Sequence, residues 1–134
     1  MKIAKKIFTL VCDDIRFEVD GRISLMGVYD KDLVVDEIPY ILPGLSIMIS
    51  LEEMKTEISE INVIVKAPKV EAEELKFAAT PDKAKNDNGV KLFVKLSPFR
   101  IKAEGEVTIQ IKLPDAKKAT TIHSFKIIQS EPLD

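Results

Sequence analysis

The chain has one cysteine, Cys12, and one histidine, His123, and nucleophilic or metal chemistry would have to start from these. A structural zinc site needs about four ligands, so the composition argues against a site built from histidine and cysteine alone. A Cys–His nucleophilic pair stays open, because its members need only meet in space. The sequence favours a plainer interpretation, in which Cys12 is a small buried residue and His123, between Ile122 and Ser124, faces solvent or is satisfied by a neighbour. We therefore predict no catalytic residue and no enzyme.

Several carboxylates precede residue 40, namely Asp13–Asp14, Asp30, Asp32 and Asp36–Glu37. Loop oxygens gathered at one end of a β-sandwich can bind calcium. An EF-hand starting at Asp30 is excluded, because loop position 6 is Val35 where glycine is required and position 12 is Ile41. A loose calcium site between loops stays open beside a second interpretation, in which acidic strand ends discourage edge pairing. We assign no metal ligand and no cofactor.

Phosphate and nucleic-acid binding have little support. The glycines stand alone and form no phosphate-binding loop: Gly21, Gly27, Gly44, Gly89 and Gly105. A formal net charge of −2 disfavours a general binder of the phosphate backbone. Residues 91–102 place Phe93 and Phe99 among basic residues, as in a stacking platform for single-stranded nucleic acid. The alternative is a solvated edge with one aromatic residue packed under a loop, so nucleic acid is a disfavoured partner.

The N-terminal segment "MKIAKKIFTLVC" could be an export signal or a strand. The apolar run is residues 7–11, whereas a secretory signal needs about 7 to 15 apolar residues. Val11 also stands where a lipoprotein signal has a small residue. We therefore predict a buried strand over residues 6–12. A single cysteine fits a reducing compartment, and no segment approaches the roughly 20 apolar residues of a membrane span, so we expect a soluble cytoplasmic protein.

A β-hairpin is the clearest local prediction. Alternating apolar residues lie on both sides of Asp20–Gly21. A three-residue loop, 19–21, with Gly21 in the left-handed conformation, pairs Phe17 with Ile23 and Ile15 with Leu25. A two-residue loop would mix the faces. Because the apolar phase slips after Leu25, we also predict a β-bulge at residues 26–27.

The remaining chain alternates strands with turn signals. Residues 52–57 are predicted as a polar connection containing one helical turn, because residues 51, 54, 58 and 61 have helical spacing. An exposed loop is predicted at 80–89. Further strands are predicted at 33–35, 45–51, 58–66, 74–78, 90–96, 107–113 and 120–128. About eight or nine short strands predict an all-β fold, a two-layer antiparallel immunoglobulin-like sandwich, as a single domain over 1–134.

Three stretches, "CDDIRFEVDGRISLMGVYD", "IPYILPGLSIMISL" and "LFVKLSPFRIKAEGEVTIQIKLPD", together resemble a family of bacterial domains of unknown function that form small β-sandwiches. The positions that match its pattern are Cys12, Asp20–Gly21, Gly27–Val28, Pro43 and Gly105. Val107 departs from it, since an aromatic residue is expected there. The resemblance implies the fold and a bacterial cytosolic setting, and it implies no catalytic residues.

Three functions follow as hypotheses. The leading one is a non-catalytic interaction or structural module that acts through an exposed strand edge or loop end and self-associates or binds a protein partner. The second is a small-molecule or metal-binding domain that uses the carboxylates at 13, 14, 30 and 32. The third is a weak single-stranded nucleic-acid binder that uses residues 91–102.

Overall fold

The structure, a computed structural model, describes residues 3–54, 58–78 and 89–131. Within these ranges the chain forms eleven β-strands and no helix. The strands are β1 (Ala4–Phe17), β2 (Ile23–Val28), β3 (Leu33–Val35), β4 (Tyr40–Leu42), β5 (Leu45–Met54), β6 (Glu60–Lys66), β7 (Glu73–Ala78), β8 (Val90–Leu96), β9 (Phe99–Ile101), β10 (Gly105–Lys112) and β11 (Thr120–Gln129). The all-β prediction is confirmed. The predicted number of strands is too small, chiefly because β4 and β9 lie in stretches that were predicted as connections.

Two larger sheets form a β-sandwich. The first sheet has the order β2-β1-β5-β8 and is antiparallel throughout. The second has the order β3-β11-β10-β6-β7. In it β3 runs parallel to β11, with Leu33 opposite Ile127, so the prediction of purely antiparallel sheets is wrong at this pair. The immunoglobulin-like topology stays a prediction.

The core lies between the sheets because alternate residues of their central strands point inward. One hydrophobic cluster of buried side chains contains residues from both sheets. Burying each large aliphatic side chain contributes about 1.5–3 kcal/mol. Its central members include Leu45, Ile47, Ile49 and Leu51 of β5 and Val107, Ile109 and Ile111 of β10.

Strands β4 and β9 continue the ribbon that β5 and β8 form. Leu45 lies opposite Leu96, and beyond a two-residue interruption on each side Leu42 lies opposite Phe99. The pairing register is therefore unchanged across the interruption. Pro43 interrupts one strand and Pro98 the other, since proline cannot donate a ladder hydrogen bond. The Ser97 hydroxyl donates to the Pro43 carbonyl (2.8 Å) and ties the two sides of this kink together.

The predicted β1–β2 hairpin is confirmed, including its register. Phe17 lies opposite Ile23 and Ile15 opposite Leu25. The Glu18 amide donates to the Arg22 carbonyl (2.8 Å). Gly21 has a φ of +89°, the left-handed conformation that the three-residue loop requires.

Two predictions near the hairpin are wrong. First, the strand predicted over residues 6–12 does not end there, because β1 continues through Asp13 and Asp14 as one 14-residue strand. Second, no extra residue is inserted at 26–27. Asp14 lies opposite Met26 and Cys12 opposite Val28, so the register is the same on both sides of Gly27. The slip in apolar phase coincides instead with a left-handed backbone at Gly27 (φ +67°).

The helical spacing at 51, 54, 58 and 61 does not produce a helix in the described part of that segment. Strand β5 continues to Met54, and all four apolar side chains are buried. Glu53 has a φ of +54°. This left-handed residue interrupts the two-residue alternation and lets Leu51 and Met54, three positions apart, both be buried. Residues 55–57 of the predicted connection lie outside the described residues.

The other predicted strands are confirmed to within two residues at each end, except that β5 extends three residues beyond its predicted end. Of the predicted 80–89 loop, residues 80–88 lie outside the described residues. In the part of the chain that the structure describes, no helix is long and apolar enough to cross a membrane.

Candidate functional site

A cavity of about 340 Å³ opens where an edge of the first sheet faces an edge of the second. It lies between the β6–β7 turn and the β8–β9 kink. The turn is closed by a hydrogen bond from the Val70 amide to the Ala67 carbonyl (3.3 Å). The kink is held by the bond from Ser97 to Pro43. We call this cavity the edge groove. Its volume falls near the lower end of the range typical of small-ligand sites.

The edge groove has an apolar floor. Val65 comes from β6, whereas Leu96 and Phe99 come from the two sides of the kink. All three side chains are buried. Because alternation in β6 and β8 points these residues toward the core, the floor is part of the sandwich interior that reaches the surface. It could receive an aliphatic or aromatic side chain of a ligand.

Opposite charges lie on the two walls of the edge groove. Glu71 and Glu73 come from the second sheet, and Lys95 and Arg100 come from β8 and β9. All four residues are exposed. Among the described residues the ion pairs are Arg16–Asp14 and Arg22–Asp20, so none of the four charges of the groove is in an ion pair there. Lys95 alternates with the inward-pointing Leu96, and Arg100 follows the inward-pointing Phe99, so both basic side chains point away from the apolar floor.

Cys12 and His123 are not brought together. Cys12 lies in the first sheet opposite Ser46 and donates its thiol to the Asp14 carbonyl (3.4 Å). Burial raises the pKa of this thiol, which disfavours the reactive thiolate. His123 lies in the second sheet, where burial lowers its pKa and the ring of Phe125 is its aromatic neighbour (6.4 Å between centroids). The arrangement of a Cys–His nucleophilic pair is absent.

The carboxylates singled out in the sequence have separate surroundings. Asp13 accepts from Tyr29, and Asp14 pairs with Arg16 (3.5 Å). Asp32 accepts from the Lys126 amide (3.2 Å), and Asp36 accepts from Ser130 (3.2 Å). No three histidine, cysteine or carboxylate residues of the described ranges form a group that could hold a metal ion. The hypothesis of an interloop site at 13, 14, 30 and 32 is therefore not supported.

Asp13, Gly27 and Tyr29 form a structural arrangement at the β1–β2 edge. The Tyr29 hydroxyl donates to the Asp13 carboxylate (2.5 Å). That carboxylate occupies the space into which a side chain at residue 27 would project. Burial, together with this hydrogen bond and the nearby negative charge, raises the pKa of Tyr29 above its ordinary value. The Gly27 position of the family-like pattern is thus explained by packing, without any catalysis.

The aromatic residues of segment 91–102 are both engaged within the protein. Phe99 is buried in the floor of the edge groove. The ring of Phe93 packs against that of Phe17 in an edge-to-face contact with 4.9 Å between centroids. Neither ring is a free stacking surface, so the geometry does not favour the single-strand binding hypothesis.

Sequence reasoning found one wall of the edge groove and missed the other. Lys95, Phe99 and Arg100 belong to the segment that was considered for nucleic acid. Glu71 and Glu73 had no signal, because they precede a weakly predicted strand. The β6–β7 turn and the β8–β9 kink lie about 30 residues apart in the sequence. Only the packing of the two sheets brings them together.

Exposed apolar side chains concentrate elsewhere, on the hairpin. Six of the large hydrophobic residues exposed in the described ranges lie on β1, β2 and their loop, and we call these six the hairpin patch. They are Ile7, Phe8, Phe17, Val19, Met26 and Val28. The other four are Val34, Tyr40, Ile41 and Ile128. Met26 and Val28 pair with Asp14 and Cys12 and share one face of the hairpin, whereas Phe17 pairs with Ile23 and lies on the other face.

No curated protein matches the chain. A family model described as a family of unknown function matches residues 7–123, from within β1 into β11. This range includes every residue of the edge groove and of the hairpin patch. The predicted resemblance to an uncharacterised domain family is therefore confirmed, and the chain belongs to the family of unknown function DUF6941.

Proposed function

We propose that the protein is a non-catalytic interaction module that self-associates through the hairpin patch. The observation that carries this proposal is that six of the ten exposed large apolar side chains of the described residues lie on β1, on β2 and in the loop of their hairpin. Val19 is fully exposed at its tip, and Phe17 (66%) and Phe8 (56%) are more than half exposed. Covering such side chains removes apolar surface from water, at about 25 cal/mol per Å².

A second copy of the chain is the partner that the charges of the hairpin suit. Asp14, Arg16, Glu18, Asp20 and Arg22 carry both signs within a short stretch. Arg16 pairs with Asp14 and Arg22 with Asp20 within the same copy, so the hairpin presents largely neutralised charges to a second copy. Two-fold symmetry is also the commonest arrangement of homo-oligomers, and it places an apolar patch against itself.

The non-catalytic part of the proposal is supported by the separation of Cys12 from His123 and by the internal partners of Asp13, Asp14 and Asp32. A bacterial cytoplasmic setting belongs to the same proposal. It is supported by the free, buried thiol of Cys12, since a reducing compartment preserves unpaired cysteine.

Light scattering after size-exclusion chromatography, over a dilution series, tests the self-association. We expect a dimer mass at high concentration that falls toward the monomer mass on dilution. Val28→Lys places a charge in the hairpin patch and should shift the protein to monomer. Val34→Lys is the matched control, because Val34 is an exposed valine on β3, outside the patch. Circular dichroism checks that both variants stay folded.

Two results would contradict the proposal. One is a wild-type protein that is monomeric at every concentration. The other is equal dissociation by Val28→Lys and Val34→Lys, because it would place the contact outside the hairpin patch or make it non-specific.

A further inference from the structure

We propose that two copies of the chain join edge to edge, by antiparallel pairing of their β2 strands. This inference rests on the proposed self-association and states how the second copy binds. The four-stranded first sheet of one copy would continue across a two-fold axis into the first sheet of the other.

Strand β2 offers an open edge for such pairing. It ends the first sheet, and among the described strands it pairs with β1 alone. The Glu18 amide donates to the Arg22 carbonyl (2.8 Å), and bonded and non-bonded pairs alternate along an antiparallel ladder. Ile23 and Leu25 therefore occupy non-bonded positions of the hairpin. Their N–H and C=O groups point away from β1, toward a strand that would lie beside β2.

Composition distinguishes β2 from the other open edges. In the described structure the two larger sheets end in β2, β8, β3 and β7. Charged residues on an edge strand discourage pairing with another chain, and both β7 (EELKFA) and β8 (VKLFVKL) carry them. Strand β3 is only three residues long and lies between Asp32 and Asp36. Strand β2 (ISLMGV) has six residues and no charge, so it is the edge best suited to receive another strand.

Edge pairing also accounts for exposed apolar side chains on both faces of the hairpin. Met26 and Val28 lie on one face, and Phe17 lies on the other. A partner stacked on one face would leave the other face uncovered. A strand added beside β2 brings side chains to both faces at once, because its residues also alternate between the faces. The ring of Phe17 already packs against Phe93 of its own copy, which favours approach from the edge over stacking on that face.

Symmetry and Gly27 together select the register of the β2 pair. A two-fold axis perpendicular to the sheet keeps each side chain on its own face, so the central residue must lie opposite itself. A centre at Leu25 would pair Ile23 with Gly27, whose φ of +67° is not that of an extended strand. A centre at Ser24 avoids Gly27. Ser24 then lies opposite Ser24 of the second copy, and Ile23 exchanges hydrogen bonds with Leu25 of the second copy.

Cysteine cross-linking of the full chain tests this register. Residues opposed in a non-bonded antiparallel pair have Cα atoms about 4.5 Å apart, a separation that a disulfide can bridge. Under air oxidation we expect most of the Ser24→Cys chains to form a cross-linked dimer, seen on a non-reducing gel and lost on addition of a reductant. The wild type should form none, because its Cys12 is buried.

Two variants serve as controls for the cross-link. Ser124→Cys is the matched control for random collision, since Ser124 is an exposed serine of β11, in the other sheet. Leu25→Cys is the control for register. With the centre at Ser24, the two residues 25 are diagonal neighbours about 7–8 Å apart, beyond the reach of an unstrained disulfide. Both controls should remain mainly monomeric on the gel.

The inference is overturned if Ser24→Cys forms the cross-link no faster than Ser124→Cys, or if Leu25→Cys forms it as fast as Ser24→Cys. If the wild type is nevertheless a dimer by light scattering and Val28→Lys dissociates it, self-association stands and only the edge pairing fails. A wild type that is monomeric at every concentration overturns both.

Discussion

Replacing Gly27 by alanine should destabilise the protein through two separate effects. The first is backbone strain, because residue 27 has a φ of +67°, and a left-handed backbone costs a residue with a Cβ about 1–2 kcal/mol. The second is steric. The added methyl group would meet the Asp13 carboxylate, which would have to move away from the Tyr29 hydroxyl. A lost hydrogen bond adds about 0.5–1.5 kcal/mol.

Gly21 is the matched control for the strain. It also has a positive φ (+89°), but nothing lies within 4 Å of the Cβ that alanine would add there. Gly21→Ala should therefore cost about 1–2 kcal/mol, whereas Gly27→Ala should cost about 1.5–3.5 kcal/mol. Asp13→Ala removes the obstructing carboxylate. In that background the cost of Gly27→Ala should fall to the cost of Gly21→Ala.

Urea unfolding followed by far-ultraviolet circular dichroism measures these free energies, and the method suits a chain without tryptophan. The wild type, Asp13→Ala, Gly27→Ala and the double variant form a double-mutant cycle, which isolates the coupling between the two sites. Equal costs for Gly21→Ala and Gly27→Ala would refute the steric part of the reasoning. So would a cost of Gly27→Ala that does not change when Asp13 is truncated.

Three further predictions concern titrating groups. Tyr29 has a raised pKa, so its contribution to stability is complete below pH 10 and is lost as pH rises through the folded-state pKa. Urea unfolding should therefore show that Tyr29→Phe loses less unfolding free energy at alkaline pH than the wild type does. Equal losses would contradict this. His123 has a pKa lowered by burial, so the free energy of unfolding should fall as pH drops below about 6.5. His123→Gln should reduce this dependence of stability on pH. If the variant and the wild type lose stability equally below about pH 6.5, the burial of the ring is contradicted. Cys12 is fully buried with a raised pKa, so a thiol reagent should modify it slowly in the native protein and rapidly in urea, and fast native labelling would show that the site opens readily.

Local sequence patterns predicted the elements that depend on neighbouring residues. The β1–β2 hairpin followed from the alternation around Asp20–Gly21, since loop length and a left-handed glycine together determine the register. Strand β8 followed in the same way from alternation over residues 90–96. In both cases the residues that decide the structure lie within a few positions of each other.

The wrong predictions depend on contacts between distant residues. The acidic pair Asp13–Asp14 looked like the end of a strand, yet β1 continues because β2 pairs with it from Cys12 to Phe17. The spacing of Leu51 and Met54 is typical of a helix, but here it results from the left-handed conformation of Glu53. A glutamate gives no sequence signal for that conformation. The parallel β3–β11 pair joins residues about 94 positions apart, a separation that no local pattern encodes.

The same contrast separates structural from functional candidates among the charged residues. Asp13 and Asp32 attract attention in the sequence, but each has a hydrogen-bond partner inside the protein that accounts for it. Glu71 and Glu73 had no signal in the sequence, yet they line a cavity without an ion-pair partner among the described residues. Because exposed charges gain little from pairing, the lack of an ion pair does not by itself separate a functional residue from a solvated one.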